Sequence, residues 1–189
     1  MSNKVKFGLS EVHIAPITYG DNNAITYGTI FSLPGAVNLS LEPAGESSDF
    51  FADNTKYFSD APNQGYTGTL EIAKITEDFR TKILGQYKDV NGAIFENKDD
   101  TFKDFALGCQ FEGDTTGTRY WFYVCRVSRS SIASQTIETA KTPVTDTLNL
   151  TISARASDGQ VNGHLEKTDD NTTAYNNFFS TVYEKVVSG

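Results

Sequence analysis

Between Tyr66 and Gly85 the periodicity of the chain changes once, and that change limits the folds open to it. From Tyr66 to Ile75 the residues alternate, with Thr67, Thr69 and Glu71 on one side and Gly68, Leu70 and Ile72 on the other. A period of two is the pattern of a half-buried strand. At Thr76 the pattern becomes helical. Thr76 suits a helix N-cap, Glu77 and Asp78 fall in the first turn where the macrodipole favours acids, and Gly85 follows Leu84 as a stop signal. Phe79, Ile83 and Leu84 give this helix a narrow apolar stripe, which needs a sheet to cover.

Strand patterns dominate the rest. Val5, Phe7 and Leu9 alternate with Lys4, Lys6 and Gly8, and the extended run continues through Val12 to Ile17; Ile25 to Phe31 reads as another strand interrupted at Gly28. Val37, Leu39 and Leu41 alternate with Asn38, Ser40 and Glu42, and the expected partner of this strand is Tyr66 to Ile75. The connection between them is far longer than a hairpin turn, so it is either a binding element or disorder. It contains Phe50, Phe51, Tyr57 and Phe58. Bulky aromatics are uncommon in chains that stay disordered, which favours a loop with a short hairpin of its own that orders on meeting a partner.

Phe102 to Phe111 and Arg119 to Val127 form the strongest hairpin signal. A turn centred near Thr115 predicts one core face made of Phe105, Leu107, Cys109 and Phe111 with Trp121, Tyr123 and Cys125. Ser128 to Pro143 reads as loop or edge strand. Leu148, Leu150 and Ile152 mark a last long strand, and Tyr175, Phe178, Phe179, Val182, Tyr183 and Val186 recur at helical spacing, which predicts a C-terminal helix or arm within 168–189. The expected class is mainly β: a sandwich of two packed sheets in a single domain over 1–189, with one short flanking helix.

Composition narrows the function. Lys and Arg number 16 against 24 Asp and Glu, a formal net charge of -8. Such a balance opposes a surface that grips nucleic acid by neutralising phosphates. The N-terminal stretch has no apolar core of signal-peptide length and no later stretch suits a bilayer span, so the chain is expected to be made in the cytoplasm, with no membrane partner. Cys109 and Cys125 lack metal-ligand spacing and read as reduced core residues. His13 and His164 stand apart from any ligand partner, and the pairs Asp99/Asp100 and Asp169/Asp170 lack the ligand pattern of a calcium loop. Phosphate loops, nucleophile elbows and zinc-protease motifs are absent from the sequence. The expectation is a protein with no catalytic, metal-binding or cofactor-binding residues. A β-rich chain must still manage its edge strands, and pairing them with neighbouring copies is one economical way.

The opening KVKFGLSEVHIAPIT, the stretch TYGTIFSLPGAVNLSLEPAGESSDFFADN and above all YFSDAPNQGYTGTLEIAKITEDFRTKILG resemble the major tail proteins, or tail tube proteins, of long-tailed siphovirus bacteriophages of Gram-positive hosts. The later YWFYVCRVSRSS and TLNLTISARAS resemble them less specifically. The resemblance implies a virion protein assembled in the host cytoplasm, with two packed sheets and a flanking helix. Six copies would close into a ring whose inner sheets merge into a barrel. Rings would stack around a tape-measure protein, meet tail terminator and distal tail proteins at the ends, and later pass DNA. It also implies that the long loop, here Glu42 to Gly65 with Phe50, Phe51, Tyr57 and Phe58, reaches the next ring.

Six subunits giving four strands each, about 4.8 Å apart, would make a wall roughly 37 to 48 Å across at the backbone, depending on tilt. After side chains, that bore passes a duplex of roughly 20 Å closely, so a neutral or acidic lining suits it. Asn38, Ser40, Glu42, Thr67, Thr69 and Glu71 are therefore expected either to face the lumen or to form an outer solvated face of the same strands. The alternative functions are a capsid decoration or tail-tip β-sandwich, and a secreted carbohydrate-binding module, which the absent leader and the single Trp121 oppose; an enzyme ranks last.

Overall fold

The structure is a computed structural model that describes residues 3–45, 48–60, 62–130, 132, 134 and 143–186. The chain is mainly β, as the alternation predicts. Strand β1 (Lys6–Tyr19) is long, and after a 3-10 turn at Asp21–Asn23 the short strands β2 (Ile25–Tyr27) and β3 (Phe31–Ser32) fold back on it. β4 (Ala36–Pro43) leads into a separate hairpin of β5 (Ser48–Ala52) and β6 (Thr55–Asp60), and β7 (Tyr66–Ile72) returns antiparallel to β4. The helix α1 (Glu77–Lys82) follows, then a small hairpin of β8 (Tyr87–Lys88) and β9 (Ile94–Phe95). β10 (Phe105–Gly113), β11 (Thr118–Val127), β12 (Asp146–Ser153) and β13 (Asn162–Glu166) complete the sheet, and α2 (Thr172–Asn176) begins the C-terminal segment.

Among the described residues nine strands form one antiparallel sheet in the order β2-β1-β10-β11-β12-β7-β4, with β3 added to β1 and β13 to β11. β11 gives this sheet its two layers. Its first half, Thr118 to Phe122, pairs with β13, and its second half, Val124 to Val127, pairs with β12. The change falls at a bulge, where Tyr123 and Val124 together oppose Ala106. A bulge bends its strand and increases the local twist, so the chain can leave one layer for the other. Val12, Ile14 and Leu107 from β1 and β10 then meet Leu70, Ile72, Leu148 and Ile152 from β7 and β12 in one core.

Helix α1 forms where the sequence places it. The Thr76 side chain accepts from the Phe79 N–H at 3.3 Å, and Gly85 adopts φ +71°, the left-handed conformation that ends a helix. Phe79 and Ile83 are fully buried in the main core, and the Phe79 ring meets Phe105 edge-on at 5.7 Å. Each burial contributes about 1.5–3 kcal/mol.

One expected face is corrected. Phe105, Leu107 and Cys109 do lie in the core with Cys125, but Trp121 and Tyr123 point to the opposite side of the sheet, and Phe122 takes the inward place. Phe111 pairs with Thr118, so the turn is centred half a residue earlier than Thr115, and a one-residue change of register exchanges the faces. The bulge at Tyr123 and Val124 then returns Cys125 to the core.

Trp121 and Tyr123 build a second core with Ala15, Ala106, Phe178 and Val182, beneath the C-terminal segment. The Trp121 indole N–H donates to the Phe178 carbonyl at 2.8 Å, and the Tyr123 hydroxyl donates to the Tyr183 carbonyl at 3.0 Å. The expected C-terminal helix is consequently short: α2 stops at Asn176, and the carbonyls a longer helix would use are taken by β11 side chains. Val186 is exposed. Most of the stretch read as loop or edge strand, 128–143, lies outside the described residues.

Candidate functional site

The strand pairing gathers all the residues expected to line a lumen onto one open face. Because opposed residues of an antiparallel pair share a face, three rows can be read directly from the register. Asn38, Glu71 and Thr147 form one row, Ser40, Thr69 and Asn149 the next, and Glu42, Thr67, Thr151 and Arg126 the third. Every one of these side chains is exposed or half-buried, whereas Leu70, Ile72, Leu148 and Ile152, pointing the other way, are buried. β-branched threonines suit such a surface, since they favour the extended backbone and pack across strands without apolar exposure.

Thr147, Asn149, Thr151 and Arg126 belong to the face but were not among the expected residues. Their period-two signal is present in the sequence; what is missing there is which strand lies beside which. Charge on the face is sparse. Glu42 and Glu71 carry it, and Glu71 accepts from the Thr145 hydroxyl. Arg126 is held by Asp104, Nε to Oδ1 at 2.6 Å and Nη2 to Oδ2 at 2.8 Å, so its charge is offset within the chain. Tyr19 donates to the same carboxylate at 2.7 Å, and burial, aided by that bond, pushes its hydroxyl up to about 12.

The second feature is the hairpin of β5 and β6. Asp53 and Asn54 both have positive φ, 52° and 59°, and join the strands through the two-residue turn that matches strand twist. Phe50 pairs with Phe58 across the strands, and Tyr57 is the extra residue of a bulge. Phe50, Phe51, Tyr57 and Phe58 are all exposed, Tyr57 at 75%, and belong to neither core. A two-stranded hairpin is marginal in water by itself, and four aromatics on its surface mark it as a contact element. It leaves the sheet where β4 ends and β7 begins. There Gly65 adopts φ +93°, and a Cβ on it would lie 1.9 Å from the Ile152 carbonyl oxygen, so only glycine closes the loop.

Between the first part of β1 and the free side of β4 lies an open cleft of about 660 Å³, lined in part by Phe7, Val37, Leu39, Leu41, Tyr66 and Phe122. No family model matches the chain, and a search of curated proteins returns no match. Among the described residues no three His, Cys, Asp or Glu side chains gather as a metal site. His13 lies against the Phe179 ring, at 4.6 Å between centroids, and His164 stacks on Tyr120 at 5.1 Å. Cys109 and Cys125 are free and fully buried; burial pushes the Cys109 thiol up to about 12 and raises Cys125 as well, which keeps both as poor nucleophiles. Among the described residues no helix is long and apolar enough to cross a membrane.

Proposed function

We propose that the chain is a structural subunit of a siphovirus tail tube, without catalytic activity or cofactor. The observation that carries this reading is the polar face. Ten side chains in three rows, contributed by four neighbouring strands, make a surface that is mostly neutral and hydrogen-bonding, slightly acidic, and backed by a tight apolar core. Four strands per subunit is the number that gives a six-subunit barrel a bore of the width a duplex needs. A lining of Thr, Ser and Asn with two acids, and with Arg126 paired to Asp104, stays wetted and offers phosphates no net positive charge.

The remaining features fit the same role. Among the described residues β4 hydrogen-bonds only to β7, which leaves its other edge to continue the sheet into a neighbour. The hairpin of Phe50, Phe51, Tyr57 and Phe58 is the element that reaches the next ring. The tape-measure protein fills the bore during assembly, terminator and distal tail proteins close the ends, and DNA passes without adhering; the subunit works in the virion after assembly in the host cytoplasm. Sedimentation velocity of the purified protein over a hundredfold concentration range tests this. A series of species rising through a hexamer is expected, whereas a single closed dimer at all concentrations would count against the reading.

A further inference from the structure

The sequence holds two Asn–Gly pairs, Asn91–Gly92 and Asn162–Gly163, and the fold gives them opposite surroundings. An asparagine followed by glycine is the least hindered setting for attack of the next backbone nitrogen on the side-chain amide, because glycine has no Cβ and a mobile backbone. The attack also needs room for that nitrogen to swing onto the carboxamide carbon. Asn162 and Gly163 lie inside β13, opposite Phe122 and Trp121 of β11, and the ladder fixes their backbone. The site is crowded as well: a Cβ on Gly163 would lie 2.6 Å from the Tyr123 hydroxyl oxygen. Asn91 and Gly92 form the tip of the β8–β9 hairpin instead, and both are exposed. A Cβ on Gly92 would come no nearer than 3.8 Å to the Lys88 Cε, so the tip is open. The Gly92 N–H donates to the Asp89 carbonyl at 3.1 Å, and the Asp89 carboxylate accepts from the Asn91 and Ala93 N–H groups at 2.9 and 2.8 Å. That clamp holds the turn closed. Behind it stand only two cross-strand pairs, Tyr87 with Phe95 and Lys88 with Ile94, and none of these residues belongs to either core. So short a hairpin is marginal by itself, and its tip opens at small cost.

We infer that Asn91 is a site of spontaneous deamidation, set at the exposed tip of β8–β9. When the turn opens, the Gly92 backbone nitrogen attacks the Asn91 Cγ and the new N–Cγ bond closes a cyclic imide. The Cγ–Nδ2 bond breaks, and the proton from the Gly92 nitrogen leaves with the amide group as ammonia. A water molecule then opens the imide. Opening at Cγ gives an aspartate, and opening at the main-chain carbonyl gives an isoaspartate, whose backbone runs through the former side chain. Either product adds a negative charge close to Asp89. The isoaspartate also lengthens the backbone between Asp89 and Ala93, the residues whose hydrogen bonds close the hairpin. Tyr87, Val90 and Phe95 beside it are exposed, so the surface that the chain presents there changes as the chain ages.

The test is peptide mass spectrometry of the full folded chain, held in warm, mildly alkaline buffer and sampled over days, with each sample compared to one taken at the start. Trypsin releases Asn91 in the peptide from Asp89 to Lys98 and Asn162 in the peptide from Ala156 to Lys167. Exchange of NH2 for OH at Asn91 is expected at least about tenfold faster than at Asn162, whose ladder must open first. In urea, where neither site is held, the two rates should converge. Asp89→Ala removes the carboxylate clamp and should raise the Asn91 rate several-fold in the folded chain. Equal rates at the two asparagines in the folded chain would overturn the assignment. So would an Asn91 that stays intact in the folded chain while it reacts in urea, or an Asp89→Ala chain that reacts no faster than its parent.

Discussion

Reversing one charge on the polar face tests where that face points. Glu71 is half-buried between Asn38 and Thr147, and its carboxylate accepts from the Thr145 hydroxyl. Glu71→Lys loses that bond to a carboxylate at a cost of about 1.5–3 kcal/mol. For a chain of this size that lowers Tm by roughly 3–12 °C, so the variant still folds. Its electrostatic effect is far larger. Each copy changes by two charges, and a ring of six would present about six inward lysines to a duplex that carries a phosphate charge every ~1.7 Å. With about six phosphate contacts, retention of DNA would fall on the order of a thousandfold between 50 and 200 mM salt. The assay is retention of short duplexes by assembled tubes across that salt range, with DNA delivery in an infection assay alongside. Unmodified tubes should retain none, and Glu71→Lys tubes should retain DNA at low salt and deliver poorly. Variant tubes that hold no more DNA than unmodified ones would refute the inward placement of Glu71.

Replacing 48–60 with a short Gly/Ser linker should leave Tm within a few degrees of the parent, because the hairpin aromatics belong to neither core, while light scattering shows no assembly; normal tubes from that variant would remove the hairpin's role. Trp121→Phe leaves the buried Phe178 carbonyl without its donor, which costs about 1–3 kcal/mol before the lost volume is added. A lower urea midpoint and faster proteolysis within 171–186 are expected, and an unchanged midpoint would contradict the packing of the C-terminal segment. In acid, Asp158, held below the usual carboxylate range by Arg155, and Glu112, held there by the Ser10 hydroxyl, contribute stability that is present above the unfolded carboxylate pKa and lost as pH falls through their folded values. In alkali, burial pushes the Tyr19 and Tyr27 hydroxyls up from 10.0 to about 12. The unfolded chain releases those protons first, so stability should be lost from about pH 10 to 12. A Tm measured against pH should show a plateau with both flanks, and a flat alkaline limb would contradict the buried tyrosines.

What the sequence reveals depends on how local the physics is. Helix α1 is legible because its cap, its acids and its stop residue lie within ten positions and each acts on its own backbone. The strands of the polar face are legible for the same reason, since a period of two needs no knowledge of the partner. The face of Trp121 is not. It depends on a half-residue in the turn between Phe111 and Thr118 and on a bulge at Tyr123 and Val124, and neither carries a residue type that announces it. β13 is not legible because Asn162–Glu166 is short, holds one large apolar residue, Leu165, and owes its place to a second edge of β11. The C-terminal segment misled in the opposite direction. Tyr175, Phe178 and Val182 have helical spacing and are buried, but the adjacent Asn176 and Asn177 are weak helix formers, and the indole of Trp121 and the hydroxyl of Tyr123 claim the carbonyls beyond them.

The measurement that bears most directly on the tube is negative-stain electron microscopy of the purified, unmodified chain, concentrated stepwise. Rings of six with an open bore wide enough for a duplex, stacking into tubes at the higher concentrations, are the expected result. Particles that stay solid, or assemblies whose bore is too narrow for DNA, would contradict a tail-tube subunit.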